Sequence, residues 1–189
     1  MKKNIFAILT LSLIIQIGVG AAGQTKSEKQ SKIEASLKDE VPRILCLDDN
    51  FTTGAQPSQA AYAKLAANGF RSVLNLRTAQ EGADSEREHV EKSGLRYINI
   101  PVLTSELKDE QVDQFFKAVK DKSNYPMLIH CGSANRVGAF WMIYRVVDQG
   151  WTEEKAYEEA TRIGLTSPAL KKFAETYIAA HKQKLKKSE

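Results

Sequence analysis

The segment from Pro126 to Gln149 constrains the fold more than any other part of the chain. It opens with five residues, PMLIH, whose apolar character suits a strand buried on both faces, the usual position of a central parallel strand. After Cys131 and a run of small residues, the stretch from Arg136 is apolar nearly all round, as in a helix packed inside a domain. A buried strand that leads through a short loop into a buried helix is typical of an α/β domain.

The rest of the chain alternates between short apolar runs and segments with helical periodicity. The clearest helix is expected at 109–121, where apolar residues recur at the i, i+3, i+4, i+7 spacing. Thr152 and Ser167 are the expected N-caps of two later helices. The predicted fold is a mainly parallel central sheet flanked by helices, with a C-terminal helical cluster. The other predicted elements are strands at 43–47, 51–55, 72–76 and 95–100, and helices at 57–68 and 84–93.

The amino-terminal residues carry a targeting pattern. A short positive start, an apolar run from Ile5 to Val19 and small residues through Gly23 match a secretory signal peptide over residues 1–23. We therefore expect an exported protein, periplasmic or secreted, with no stable membrane span after cleavage. The alternative is an uncleaved membrane anchor, although the apolar run is short for a span of ~20 residues.

Composition divides the remainder of the chain. Residues 24–40 are polar and mixed in charge, which indicates a flexible linker or a frayed helix. A single domain is expected at 41–183, long enough to build a core without disulfides, and residues 184–189 form a basic tail. The formal net charge of +4 is small, and two of the lysines lie in the signal peptide, so nothing indicates a nucleic-acid partner. We expect a monomer.

The cysteine and histidine counts exclude two classes of protein. Two cysteines cannot form the framework of a disulfide-rich domain, and three scattered histidines leave no clustered metal site. Cys46 is expected to be a core residue of the first strand. The alternative is a disulfide between Cys46 and Cys131 in an oxidising compartment.

The loop from Cys131 to Arg136 has the composition of an anion-binding site. Small residues at a helix N-terminus let successive backbone N–H groups point inward, and these donors stabilise a thiolate at the mouth of the loop. The side chain of Arg136 can bind two oxygens of an oxyanion. This combination predicts phosphoryl or similar group transfer through a covalent cysteine intermediate. The simpler alternative is a buried core cysteine beside a helix-start arginine. The small residues expected to bind substrate are Gly132, Ser133, Ala134 and Asn135.

With His130, Cys131 and Arg136 on a strand, loop and helix, the chain resembles the cysteine-dependent protein tyrosine and dual-specificity phosphatases. Over residues 42–165 it is most similar to a bacterial phosphatase-like domain family known from fusions to β-lactamase-like hydrolases. The resemblance implies a compact dual-specificity-phosphatase-like fold and hydrolysis of a phosphorylated small molecule or protein, with no metal and no organic cofactor. The motifs that carry it besides the cysteine loop are Gly54-Ala55-Gln56-Pro57-Ser58, Val73-Leu74-Asn75-Leu76-Arg77 with Glu81, and Ile100-Pro101-Val102.

Three positions depart from the phosphatase pattern. Four residues separate Cys131 from Arg136, where the phosphatase loop has five, and Val137 stands where a serine or threonine is usual. Thr104 lies about where a general-acid aspartate is expected. Glu106 is the substitute nearest to the strand end, and Asp109 and Asp113 are further candidates.

The cysteine loop fits two other functions, and Arg77 has more than one expected role. The short loop ending in Asn-Arg is also similar to that of rhodanese sulfurtransferases, in which the cysteine carries a persulfide. A third possibility is a non-catalytic module that binds an oxyanion. Arg77 is expected either to line the substrate site or to pair with Glu81 on the surface. His130 is expected to orient the cysteine loop.

Overall fold

The computed structural model describes residues 26–187, with side chains as far as His181. Five strands form one mixed sheet in the order β1-β2-β5-β3-β4. Strand β1 pairs with β2 antiparallel, and the other three pairings are parallel, so the predicted strand before Cys131 is the central one. The strands are β1 (Leu45–Cys46), β2 (Phe51–Gly54), β3 (Ser72–Asn75), β4 (Arg96–Asn99) and β5 (Met127–His130).

Seven α-helices in the described residues cover the two faces of the sheet, which confirms the predicted α/β class. Helix α5 is buried along nearly its whole length, as its apolar sequence indicates. The last two helices pack on α5 and form the expected C-terminal cluster. The helices are α1 (Glu28–Leu37), α2 (Gln59–Ala67), α3 (Ala83–Lys92), α4 (Asp109–Lys120), α5 (Asn135–Val147), α6 (Glu153–Ile163) and α7 (Pro168–Lys187).

The alternation of side chains along β5 gives the sheet two hydrophobic cores. Met127 and Ile129 face the core built with α4 to α7, in which Trp141 is fully buried. Leu128 faces the opposite core, formed with α1, α2 and α3. A strand with both faces covered is central in a parallel sheet, as its uninterrupted apolar sequence predicts.

The parallel strands all end at the same edge of the sheet. Strands β2, β5, β3 and β4 finish at Gly54, His130, Asn75 and Asn99, which lie level with one another in the strand register. The loops that follow these residues therefore meet at one edge, which is where open α/β sheets bind their ligands.

From residue 26, where the described part of the chain begins, the segment expected to be a flexible linker or a frayed helix is a folded part of the domain. It contains α1, whose Leu37 is fully buried in the smaller core. The carboxylate of Glu34 accepts a hydrogen bond from the backbone N–H of Cys46 at 2.7 Å. Its sequence is polar because only one side of the helix contacts the domain.

The structure describes most of the carboxyl-terminal segment but not the predicted signal peptide. The basic segment expected as a tail from residue 184 continues α7 as far as Lys187. The predicted signal peptide lies outside the described residues. Within 26–187, no helix has the length and apolar character needed to cross a membrane.

The two cysteines are free thiols far apart in the sheet. Cys46 is opposite Thr52, and Thr52 is opposite Leu128, so the register places Cys46 two strands away from β5 and three residues before Cys131. Strand spacing and rise put the two Cα atoms roughly 14 Å apart, whereas a disulfide needs less than about 7 Å. A Cys46–Cys131 bridge is therefore excluded in this fold. The Cys46 thiol instead accepts a hydrogen bond from the Thr52 hydroxyl at 3.3 Å.

Candidate active site

The loop after β5 presents a row of unpaired backbone donors. Helix α5 begins at Asn135 without a side-chain cap, and the N–H groups of residues 132–137 donate to no backbone or side-chain acceptor in the described part of the chain. Cys131 lies at the start of this row and is fully buried. The thiol is thus at the floor of the loop and not at its mouth, because it directly follows the central strand. Such a row of free N–H groups at a helix N-terminus is suited to binding an anion.

The short loop requires an unusual backbone at Ala134. This residue has φ +67° and occupies the N-cap position of α5, a left-handed conformation that alanine rarely adopts. Gly164, between α6 and α7, provides the space: a Cβ on Gly164 would lie 3.0 Å from the Ala134 Cβ. Four loop residues therefore suffice to turn from β5 into α5, with strain concentrated at Ala134.

Arg136 is buried beside Cys131 and held by three groups. Its Nη1 donates to the carbonyl oxygens of Leu76 and Val102, at 3.2 and 2.8 Å. Its two terminal nitrogens also bind both carboxylate oxygens of Glu81, at 2.7 and 2.6 Å. Burial lowers the pKa of Arg136, but the hydrogen bond to Glu81 and the negative charges of Cys131 and Glu81 outweigh burial and raise it. The Arg136 side chain also forms a hydrogen bond with the Cys131 side chain, which places the guanidinium beside the thiol.

Glu81 is fixed at the end of a short 3-10 helix, Ala79–Glu81. Its carboxylate accepts hydrogen bonds from the backbone N–H and the hydroxyl of Thr78, at 2.9 and 3.2 Å. The hydrogen bond from Arg136 is the main cause that lowers the pKa of Glu81 from 4.5 to about 2, with burial opposing it. Glu81 therefore pairs with Arg136, and the alternative pairing with Arg77 is wrong.

We expect Glu81→Gln to reduce kcat/KM for a phosphomonoester about tenfold, since Arg136 loses a charged bidentate partner. The folded-state pKa of Glu81 lies below its ordinary value, so the ion pair stabilises the protein above about pH 4.5 and is lost as the pH falls towards about 2. Urea unfolding should show the wild type more stable than Glu81→Gln at pH 7. The difference should shrink below pH 4.5.

Glu91→Gln is the matched control, because Glu91 forms only an exposed pair with Arg87 on α3. We expect this variant to match the wild type in activity and to show no comparable pH dependence of the free energy of unfolding. Equal stability of wild type and Glu81→Gln at pH 7 would contradict the role given to the Glu81–Arg136 pair.

A second carboxylate, Glu86 on α3, joins the ends of β3 and β5 beneath the loop. One oxygen of Glu86 accepts hydrogen bonds from Asn75 and Gln56, at 3.0 and 3.1 Å. The other oxygen lies 2.7 Å from Nε2 of His130, which is fully buried. Burial raises the pKa of Glu86, but the adjacent His130 and the hydrogen bonds from Gln56 and Tyr62 outweigh burial and lower it. This contact fixes the residue before Cys131, as expected of an orienting histidine.

Arg77 lies at the wall of a cavity beside the loop. Its Nη1 donates to the side-chain oxygen of Gln56 at 2.5 Å and to Glu86 at 3.1 Å. The backbone N–H of Gln56 in turn donates to the carbonyl of Gly132, so this wall is joined to the cysteine loop. The cavity has a volume of about 230 Å³, and its other polar side chains include Gln59, Ser85 and His89. Cys131 does not line this cavity, which is a neighbour of the anion site.

The Asn135 side chain does not face the loop interior. Its oxygen accepts hydrogen bonds from the backbone N–H groups of Thr166 and Ser167, at 2.7 and 2.8 Å. Only the backbone N–H of Asn135 is therefore available to a substrate. The side-chain amide of Asn135 instead holds the start of α7. Val137 is fully buried in the larger core, so the departure from serine or threonine there serves packing.

Glu106 lies in an exposed turn that follows Val102. The turn is closed by a hydrogen bond from the Glu106 N–H to the carbonyl of Leu103 at 2.9 Å. It begins next to Val102, whose carbonyl binds Arg136. Asp113, in contrast, faces α7, where it accepts a hydrogen bond from Tyr177 at 3.4 Å. Among the three carboxylates proposed from the sequence, Glu106 is the nearest along the chain to Val102, whose carbonyl binds Arg136.

The buried network around Glu86 was not predicted from the sequence. The helix at 84–93 is polar, and a carboxylate in such a helix is normally exposed. One signal was present: Ala83, Glu86 and Val90 are spaced as one helical face, and all three are buried. A carboxylate on the apolar face of a polar helix indicates a partner beneath it.

Comparison with known proteins supports a phosphatase at this site. The chain is 26% identical over 111 residues to the β-lactamase hydrolase-like protein of Xylella fastidiosa, a match that covers 56% of this chain and 26% of that protein. It is 28% identical over 97 residues to the dual specificity protein phosphatase TpbA of Pseudomonas aeruginosa, covering 50% and 44%. The chain thus matches less than half the length of either relative.

A solved structure shares the fold. The crystal structure of a DUF442 protein from Shewanella putrefaciens superposes with a TM-score of 0.65 at 20% identity, over 76% of this chain and 93% of that one. A family model described as the DSP-PTPase phosphatase fused to NAD⁺ kinase matches residues 32–178, well over half of the chain. The chain belongs to this family of cysteine-based phosphatases.

Proposed function

We propose that the protein is an exported phosphatase that hydrolyses a phosphoester through a phosphocysteine intermediate on Cys131. The observation that supports this most strongly is the row of unpaired N–H groups at 132–137, which starts at Cys131 and has Arg136 beside it. Amide donors and a fixed guanidinium together match the charge that develops on a transferring phosphoryl group.

The chemistry of the first step uses Cys131 and a proton donor. The thiolate forms a bond to phosphorus while the bond from phosphorus to the leaving oxygen breaks. The amides and Arg136 bind the nonbridging oxygens, and Glu106 gives its proton to the leaving oxygen. In the second step, water attacks phosphorus, Glu106 accepts its proton, and the sulfur–phosphorus bond breaks to release phosphate and the thiolate.

The substrate is a phosphorylated small molecule or protein. The cavity lined by Arg77 adjoins the cysteine loop through Gln56 and offers hydrogen-bonding groups to the part of the substrate that carries the phosphate. Most charge in that wall is already paired, since Arg77 binds Glu86. We therefore assign to this cavity a polar and uncharged portion of the substrate.

Two assays distinguish this function from the alternatives. We expect the purified protein to release phosphate from 4-nitrophenyl phosphate and to form no thiocyanate from thiosulfate and cyanide. Thiocyanate without phosphate release would support the rhodanese-like sulfurtransferase. Phosphate binding without either reaction would support the oxyanion-binding module.

Export is supported by the three-part pattern of residues 1–23. Expression of the full chain in a bacterium should yield a periplasmic or secreted protein whose amino terminus lies just after the small residues at 20–23. An uncleaved protein in the membrane fraction would instead indicate an anchor.

We expect Glu106→Gln to slow the hydrolysis of phenyl phosphate by ~100-fold, because phenolate is a poor leaving group without a proton. The loss should be smaller for 4-nitrophenyl phosphate, whose leaving group needs less protonation. The measurement is kcat for both substrates across a range of pH. Asp109→Asn and Asp113→Asn are the parallel variants. If one of these shows the leaving-group dependence and Glu106→Gln does not, the acid is reassigned.

A further inference from the structure

Arg43 occupies the third position of a tight turn at residues 41–44. The turn is closed by a hydrogen bond from the Ile44 N–H to the carbonyl of Val41 at 3.2 Å. Pro42 fixes a negative φ at the second position, and Arg43 has φ +58°. This combination is a type II turn, in which glycine or asparagine is expected at the third position. An arginine there carries backbone strain, which collects at functional sites.

The turn is held rigidly at the edge of the sheet where the anion site lies. The carbonyl of Pro42 accepts a hydrogen bond from the N–H of Ala55, just beyond the end of β2, at 2.8 Å. Val41 packs so closely on Gly54 that a Cβ on that glycine would lie 2.4 Å from the Val41 Cγ1. The left-handed backbone of Arg43 is therefore imposed by the surrounding contacts.

The side chain of Arg43 reaches the cysteine loop across Gly164. A Cβ on Gly164 would lie 3.0 Å from the Nε of Arg43, 3.0 Å from the Ala134 Cβ and 3.3 Å from the carbonyl oxygen of Ser133. Arg43 and the middle of the loop thus contact the same small space, left open by the missing side chain of Gly164. Arg43 lies near residues 133 and 134 of the loop, and the Glu81–Arg136 pair lies near Gly132.

Arg43 differs from the other two arginines of the site in having no partner. Arg136 is bound by Glu81, and Arg77 by Glu86. Arg43 is exposed, and it makes no hydrogen bond or ion pair with any of the residues that the structure describes. An unpaired guanidinium beside the cysteine loop is placed to bind an anion supplied by a ligand.

We propose that Arg43 is a specificity-determining residue that binds a second anionic group of the substrate, a phosphoryl or carboxylate group close to the scissile phosphate. The inference rests on the proposed phosphatase function and specifies the substrate class: phosphoesters that carry a further negative charge near the phosphate. The planar fork of arginine suits both groups, because each presents two oxygens.

The test compares kcat/KM for phenyl phosphate and 1,3-phenylene bisphosphate in the wild type and in Arg43→Ala and Arg43→Lys. The wild type should prefer the bisphosphate about tenfold, and Arg43→Ala should reduce that preference to about twofold, the value expected from two equivalent phosphates. Arg43→Lys should lie between them. Arg71→Ala is the matched control, since Arg71 is an exposed arginine at the opposite edge of the sheet. An unchanged preference in Arg43→Ala would overturn the proposal.

Two further arms identify the source of the anion and separate this proposal from the catalytic one. If the second group is a protein carboxylate, a phosphotyrosine peptide with glutamate beside the phosphotyrosine should have a higher kcat/KM than one with alanine there. Arg43→Ala should remove that difference. A preference confined to the bisphosphate would indicate a small molecule.

Calorimetric titration of Cys131→Ser with both phenyl compounds, with and without Arg43→Ala, measures the same preference as binding. If the wild type hydrolyses neither compound, the proposed function fails, and this titration alone decides the role of Arg43.

Discussion

Replacing Cys131 with serine is expected to reduce phosphate release by at least ~10⁴-fold, the largest effect of any substitution considered. A serine hydroxyl ionises far less readily than a cysteine thiol, so the variant lacks an effective nucleophile. The fold should be retained, because the side chain is small and the surrounding core is unchanged.

The measurement combines turnover with direct detection of the intermediate. Rapid quenching of the wild type with an aryl phosphate, followed by mass spectrometry, should show a phosphoryl group on the peptide that contains Cys131. The control is Cys46→Ser, since Cys46 is also buried but lies in β1, far from the loop. Full activity in Cys131→Ser, or a phosphoryl group elsewhere, would contradict the proposed intermediate.

Arg136→Lys is expected to reduce kcat by about 10²- to 10³-fold while the protein remains folded. The guanidinium binds two carbonyl oxygens and both oxygens of the Glu81 carboxylate, and it also contacts Cys131, where the phosphoryl group is proposed to bind. A lysine ammonium is a point charge with no planar fork, so it cannot satisfy Glu81 and the phosphoryl group together.

The matched control is Arg145→Lys, the same substitution on the same helix. Arg145 binds Glu159 and packs over Trp141 and Trp151, away from the cysteine loop. This variant should lose stability in urea unfolding and keep its activity. If both variants lost activity in proportion to stability, Arg136 would be a structural residue, and its assigned role would be wrong.

The positions of strands and helices were largely predictable from the sequence. The apolar runs and caps are local signals, and they place β5, the loop and α5 within one or two residues. The residue-level resemblance to phosphatases then led to the fold that the comparisons confirm. The loop is the part of the site that a contiguous stretch of sequence encodes, so it was the part that could be found.

The remainder of the site depends on contacts between distant parts of the chain. The partner of Arg136 could not be derived, because Glu81 is 55 residues away in sequence and the nearer Arg77 was a plausible partner for Glu81. The burial of Glu86 depends on five groups converging from other elements. The sequence places Asn135 in the loop, yet its side chain binds Thr166 and Ser167, more than 30 residues further along the chain. Side-chain direction in a loop is set by the tertiary structure, and composition does not encode it.

The wide separation of the two cysteines determines what oxidation does to this enzyme. A peroxide that converts the Cys131 thiolate to a sulfenic acid produces a group that normally recovers by condensing with a nearby thiol. The other cysteine of these 189 residues, Cys46, lies two strands away in β1 and cannot reach it. No second thiol within residues 26–187 is therefore placed to reduce an oxidised Cys131, so recovery through a disulfide needs a thiol from outside this domain.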